Sequence, residues 1–479
     1  MESIIPTIFL VLYLIVMIVI GYLPKIKTSI NLEDYFVAGR TFSYLVLYMT
    51  VAATVYSGFA LMGTPGLWIT KGVGSFFVFT YIVFAYVILF LVGPRVWEIG
   101  KERGYVTQAD IIGDRFQSDF LRVLSAAVGF LMMFPYIAAG LVACAYTVNI
   151  ITYGKVSYPV AALVVTVVAA IYIWAGGIKA VAWTDVVQGF IMLFALIGTG
   201  FLVLYHYFPD STALFDAVIV KGPEKLAFDK GYSWPMYTSM VLMMMWGFIS
   251  WPQIFVRAYA AKSKKVIRLT SALGPIGAFI AYVPMMIAAF AIFSASNQTF
   301  PAPDKALLTE LGQYAPIWFF GIVGVGVLAS AMSTFDSQAH MAGVILAKDL
   351  FQRIFKMKDE KKILQYCKIV IAIGLLASYL MALKPPKLMW DILISSYAGV
   401  SQLVPPLIAA LYWKRATREG ATAGLIAGLI IALLFSYVWV HPLQIHAGLW
   451  GMVINTVFLI VISYGSKRPS EEILRAFYK

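Results

Sequence analysis

Charged residues are scarce in this 479-residue chain: 12% are Asp, Glu, Lys or Arg, against 61% hydrophobic residues and a mean hydropathy of +0.85. A soluble globular chain carries about 25% charged residues and is roughly half apolar, so a water-facing surface cannot cover this one. Cysteine is limited to Cys144 and Cys367, in or beside apolar runs and without C-x-x-C or histidine spacing. That pattern excludes a disulfide scaffold and reads as two buried free thiols. His206, His340, His441 and His446 form no metal-ligand spacing and no Ser/His/Asp arrangement. No G-x-x-x-x-G-K-[ST] occurs, and Gly324-Val325-Gly326 lies inside an apolar run without a strand–helix turn. A primary pump or a membrane enzyme is therefore disfavoured. The solvent left for the chain is the bilayer.

Apolar stretches long enough to cross, at ~20 residues each, fall at about 4–22, 42–63, 75–93, 123–151, 157–174, 181–205, 237–256, 271–294, 316–347, 364–382, 390–412, 421–440 and 446–465. These predict about 13 transmembrane helices in an all-α integral membrane protein. The first lacks a positive leader and a small-residue cleavage site, so it reads as a retained span. The net charge of +13, which in a soluble protein would suggest nucleic acid, here divides by loop. One alternating set (23–41, 94–122, 175–180, 257–270, 348–363 with Lys368, 413–420 and the tail) holds 28 of the 36 Lys and Arg, including all twelve arginines. The positive-inside rule makes that set cytoplasmic, with the N-terminus outside and the C-terminus inside a plasma membrane. The Asn297-Gln298-Thr299 sequon lies on the outer side and carries no weight. On this division no Lys or Arg is left for a span interior.

Acidic residues are likewise almost confined to loops. Asp391 opens a span beside Lys387, but Asp185 and Asp336 fall inside spans, where a carboxylate costs at least ~2.5–3.5 kcal/mol. With no basic partner in reach, the expected compensation is a proton, backbone donors or a bound cation. Around Asp336, the residues Ser330, Ser333, Thr334 and Ser337 recur at i, i+3, i+4 and i+7, one helix face with Asp336 on its flank. Hydroxyls with a carboxylate are hard oxygen ligands suited to Na⁺ or Ca²⁺; the plainer reading is Ser/Thr back-bonding and close helix packing.

Two spans look interrupted, at Ala53-Thr54-Val55-Tyr56-Ser57-Gly58 with Gly63-Thr64-Pro65-Gly66, and at Trp246-Gly247-Phe248-Ile249-Ser250-Trp251-Pro252-Gln253. Each begins a set of five spans. Broken helices at matching positions of two inverted repeats point to a transporter site at the bilayer midplane. The expected divisions are an N-terminal helix and loop at 1–41, the first five-helix repeat at 42–205, an outer loop at 206–236, the second repeat at 237–412, and two helices with a tail at 413–479. Gly420, Gly424 and Gly428 form a small-residue row that can pack within the chain or build a homo-oligomer.

At these residues the chain resembles the sodium:solute symporter family, a LeuT-type inverted-repeat fold. The stretches carrying the resemblance are Gly176-Gly177 with Trp183-Thr184-Asp185-Val186-Val187-Gln188, Met332-Ser333-Thr334, Trp413-Lys414-Arg415 leading to Gly420-Ala421, and Gly104-Tyr105-Val106-Thr107 with Asp114-Arg115-Phe116. The resemblance implies co-transported Na⁺ held by the carbonyls of Ala53, Tyr56 and Ser330 and the hydroxyls of Ser333 and Thr334. It implies a second sodium or a proton at Asp185, Asp336 and Ser337. A small substrate is expected at the amides near Ser57-Gly58-Phe59 and against Tyr136, Trp246 and Phe248. The segment from Arg95-Val96-Trp97 to Phe134-Pro135-Tyr136 is similar to monocarboxylate carriers and Lys384-Pro385-Pro386 to pantothenate carriers. The proline branch has an acid where this chain has Val55. The reading is Na⁺-coupled symport of a monocarboxylate, an amino acid such as proline, or pantothenate. H⁺ coupling on the same fold and a transporter-like sensor are the alternatives.

Overall fold

A computed structural model describes residues 4–27, 32–296, 300–385 and 389–478. The sequon at 297–299, Pro386 and Lys387 lie outside them. Among the described residues the regular structure is helical, apart from a single bridge between Phe42 and Ala261. A helix satisfies every backbone N–H and C=O within its own segment, which hydrocarbon demands.

Ten helices among the described residues are long and apolar enough to cross a bilayer, or eleven when Trp234–Ser250 and Pro252–Ala260, bent by 49°, count as one span. The thirteen expected from the sequence requires two further divisions. The 50-residue helix Tyr158–Tyr207 would be about 75 Å long, more than twice the ~30 Å hydrocarbon core. It breaks at Gly177 (φ 58°, ψ −148°), where a β-carbon would lie 2.6 Å from the Tyr35 ring; only glycine fits both the dihedrals and the space. The other division is Tyr44–Val55, 12 residues and too short to cross alone. It continues through a π-helical turn, Phe59–Gly63, into Thr64–Lys71, before the chain turns into Phe77–Arg103.

The basic loops converge on one face of the bundle. Lys179 pairs with Asp34 at 2.6 Å, Arg353 with Asp119 at 3.2 Å, and Lys264 with Glu98. Arg40 donates to the Tyr105 carbonyl at 2.8 Å, Arg115 to the carbonyls of Trp413, Lys414 and Ala416, and Arg103 to the Ala476 carbonyl at 2.9 Å. Each contact joins two segments that the sequence placed on the same side. Arg257 departs from this arrangement. The sequence reading put it in a loop, but it lies in the helix Pro252–Ala260 with its side chain 2% exposed. Pro252 starts a new helix after the break, and two and a half turns carry the chain past residue 257 before it reaches the interface.

On the opposite face, residues 206–236 form the short helices Ala213–Lys221, Pro223–Leu226 and Phe228–Gly231. Lys225 donates to the Thr70 carbonyl and Lys221 to the Ser296 carbonyl, both at 2.7 Å, so this segment is a folded cap on the half-helix Thr64–Lys71. Gly420, Gly424 and Gly428 of the helix Arg418–Tyr437 lie against Ser463, Asn455 and Gly451 of Ala447–Gly465. The small-residue row therefore packs two helices together within the chain. Cys144 and Cys367 are buried free thiols.

Candidate functional site

The helix Tyr44–Val55 ends because Tyr56 leaves helical dihedrals (φ −85°, ψ 53°). Carbonyls in a final turn lose their i+4 donors, and at membrane depth they need other partners. The helix Ile317–Ile345 supplies them. Ser333 donates its hydroxyl to the Ala53 carbonyl at 2.8 Å, and Thr334 donates to the Thr54 carbonyl at 3.0 Å. The same hydroxyls reach the Ser330 carbonyl at 3.0 and 3.3 Å. Ala53, Ser330, Ser333 and Thr334 thus converge at the helix break, all buried, with Tyr56 at the break itself. The donor set is oxygen alone, carbonyl and hydroxyl, which suits a hard cation and not a soft metal. Each hydroxyl can rotate and turn a lone pair toward an ion that replaces its own hydrogen bond.

Asp185 has the basic partner that the sequence reading denied it. Arg257 Nη2 lies 3.0 Å from Asp185 Oδ2 and 2.7 Å from Ser337 Oγ, to which it donates, while Arg257 Nε donates to Thr50 Oγ1 at 2.9 Å. Thr50 in turn donates to Asp185. The guanidinium bridges two of the three side chains expected to hold a second ion. The third, Asp336, accepts from the Tyr172 hydroxyl at 2.7 Å and the Ser337 amide at 2.6 Å. Asp185 Oδ1 is buried without a hydrogen-bond partner, so the network has one more acceptor than its donors satisfy.

Ser57, Gly58 and Tyr136 meet, together with Phe59, Thr334 and Phe335, around a small cavity beside the helix break. Gly58 passes so close to Ala331 and Ala143 that a β-carbon would lie 2.8 and 2.9 Å from theirs. The Tyr136 ring packs edge-on to Trp251 at 5.1 Å, and Trp251 on Tyr397 at 5.3 Å. Trp390 packs between Phe59 (5.6 Å) and Phe77 (4.8 Å) with tilted rings.

Two expected aromatic contacts are not made. Trp246 lines a separate apolar groove with Pro405, Trp413 and Met452, and Phe248 packs on Tyr86 at 6.0 Å. The turn at Phe248–Ser250 rotates the chain before Pro252 restarts the helix, so Trp251 reaches Tyr136. Sequence reasoning missed Arg257, Thr50, Tyr172 and Trp251. Pro252 was the available signal for Arg257, because a proline after a break can start a new helix that carries the next residues onward in the bundle.

A bundle of membrane-spanning helices with two broken spans, a buried oxygen cage and a neighbouring small cavity defines a secondary transporter. The sodium:solute symporter family model matches residues 35–428, and the chain belongs to that family. It is 25% identical over 468 residues to the uncharacterized symporter YhjB of Bacillus subtilis, covering 95% of this chain and 96% of that protein. It is 27% identical over 489 residues to the sodium/proline symporter of Escherichia coli, covering 97% and 94%. Its fold matches a Na⁺-coupled sialic acid symporter solved in a substrate-bound outward-open state, with a TM-score of 0.83 at 18% identity over 97% of this chain and 99% of the other. The chain is a multi-pass, Na⁺-coupled symporter of the LeuT-type fold.

Proposed function

We propose that this chain imports a compact carboxylate, an amino acid of proline's size or a short monocarboxylate, with Na⁺ bound at Ala53, Tyr56, Ser330, Ser333 and Thr334. The observation that carries the sodium assignment is the pair of hydroxyl–carbonyl contacts from Ser333 and Thr334 to the broken helix. The cavity beside them has no charged side chain in its wall. A carboxylate there rests on the amides at Ser57-Gly58-Phe59, with the sodium charge one turn away. Tyr136 and Trp251 cover the apolar body. The proline symporters among the relatives favour proline or a short acid over pantothenate.

The basic face is cytoplasmic by the positive-inside rule, with the N-terminus outside, and the five-span sets 42–205 and 237–412 rock about the site. Arg257 acts as a resident cation between Asp185 and Ser337, so coupling runs through one mobile Na⁺. H⁺ coupling through Asp185 is the rival reading, and the guanidinium on that carboxylate speaks against it.

The test is uptake of labelled proline, lactate, alanine and pantothenate into reconstituted vesicles. Uptake of one compact substrate is expected only with an inward sodium gradient. Ser333→Ala should raise the sodium concentration for half-maximal uptake by about 10- to 150-fold, since a contact to a charged species is worth ~1.5–3 kcal/mol. Uptake that persists without sodium under a pH gradient, or an unchanged sodium dependence in Ser333→Ala, overturns the assignment.

A further inference from the structure

The loop between the last two long helices, Arg418–Tyr437 and Ala447–Gly465, carries His441 and His446, and neither lies at the transport site. The first amides of a helix find no carbonyl within it, and a serine, threonine, aspartate or asparagine usually accepts from them. Here two imidazoles do so. Nδ1 of His441 accepts from the Ala447 amide at 3.2 Å, and Nδ1 of His446 accepts from the Gly448 amide at 3.1 Å. An accepting nitrogen carries no proton, so both rings are neutral with their single proton on Nε2. The ring centroids are 4.8 Å apart.

The capped end of the helix is fastened to its neighbours. A β-carbon at Gly448 would lie 2.2 Å from Met243 Sδ and 2.9 Å from Ala398 Cα. The Gly448 carbonyl accepts from Gln402 Nε2 at 3.0 Å. The His446 amide donates to Ser239 Oγ at 2.9 Å, on the first half of the broken span, Trp234–Gly247. The loop leading into this end is strained: His441, Leu443 and Gln444 have φ of 48°, 58° and 57°, left-handed values that persist only where the surroundings enforce them.

Lys384, Asp391 and Tyr437 line a cavity of about 580 Å³ together with the two histidines. Among the described residues none of the three bonds to either ring, so no carboxylate is placed to hold a second proton there. Burial keeps both imidazoles below the ordinary histidine range, His446 at about 3 with a smaller push from His441.

We infer that His441 and His446 form an acid-releasable clasp, which fastens the last membrane helix and, through Ser239, the first half of the broken span. Because Nε2 already carries a proton, a second proton can enter only at Nδ1, the capping atom. It turns that acceptor into a donor, breaks the cap, and sets a positive charge at the positive end of the helix and beside the other ring. A released, solvated imidazole takes its proton at about pH 6.5, whereas the capped ring stays neutral well below that. The clasp therefore holds at full strength above about pH 6.5, and each further unit of acid favours its opening about tenfold per histidine.

Hydrogen exchange of the full chain in detergent, read by mass spectrometry on peptides covering 441–452, tests this. Between about pH 7.5 and 5.5, after normalising for intrinsic rates, protection of the Ala447 and Gly448 amides should fall roughly 100-fold. The helix Arg418–Tyr437 supplies an internal control, since its cap is the hydroxyl of Thr417, which accepts from the Gly420 amide at 3.2 Å and does not titrate. Its protection should stay constant. Asparagine is a capping acceptor without a titration in this range, so His441→Asn and His446→Asn should each reduce the acid response to roughly tenfold, and the double variant should abolish it. The unaltered chain read against the Thr417 cap tests the clasp without any variant. Constant protection at Ala447 and Gly448, or an equal fall at the Thr417 cap, overturns the inference. So does a full acid response in the double asparagine variant.

Discussion

Replacing Arg257 with Gln asks whether a fixed guanidinium stands where a mobile ion was expected. The Asp185 side chain is 0% exposed and that of Arg257 2% exposed, and they lie 3.0 Å apart. Removing one partner of such a pair strands the other charge in a poor solvent, a loss of ~3–5 kcal/mol, far above the ~0–1 kcal/mol of a surface pair. Arg257→Gln should lower stability by about that amount. Asp185→Asn should also be costly, because the guanidinium then keeps only Thr50, Ser337 and the Gln253 carbonyl. The double variant removes both charges and should recover most of the loss, giving a coupling energy of about 2–4 kcal/mol in a double-mutant cycle. If the site between Asp185 and Ser337 takes a cation whenever the guanidinium is gone, molar sodium should stabilise Arg257→Gln more than the unaltered chain, by ligand binding to the folded state alone. The assay is unfolding in detergent, in sodium against choline at equal ionic strength. A double variant no more stable than the worse single variant, or no sodium-specific recovery in Arg257→Gln, would refute the resident-cation argument.

Three more outcomes follow from other parts of the structure. Asp304, outside the spans, is buried with Oδ2 accepting from the Met389 amide at 2.7 Å. Burial pushes its carboxyl up to about 7, against the lowering effect of that amide and with a smaller push from Asp391. The folded state therefore holds this proton more tightly than the unfolded chain, so its stabilising contribution is complete below about pH 4 and is lost as pH rises toward 7; thermal midpoints of Asp304→Asn should lack that slope. The short helix Glu471–Phe477 ties the basic face together: Arg103 and Arg95 donate to the Ala476 and Phe477 carbonyls, and Tyr478 donates to those of Ala409 and Ala410. Phe477 is 2% exposed, and Phe477→Ala should cost ~3–5 kcal/mol in unfolding measurements and speed proteolysis of the tail. Gly177→Ala should lower folded yield on size exclusion, since its methyl group meets Tyr35 at a left-handed φ.

Much of this protein was legible in one dimension because the bilayer imposes one-dimensional rules. Hydrocarbon forces long apolar runs, the membrane sorts Lys and Arg by side, and a carboxylate in a span marks a site. The oxygen cluster at the helix break belongs here too: Ser330, Ser333 and Thr334 share a helix face at fixed spacing, and the break near Tyr56 was announced by its small residues, so the two halves of the proposed site could be named apart. Tertiary structure decided how those halves face each other and which charges meet. Arg257 and Asp185 are 72 residues apart, and whether an arginine just past a proline is in water or in the core depends on where the half-helix ends relative to its neighbours. The same holds for Trp251 taking the place expected of Trp246: a turn of three residues rotates every later side chain, and hydropathy is blind to rotation. Sequence fixes which groups cannot face lipid, while packing alone settles what each of them faces instead.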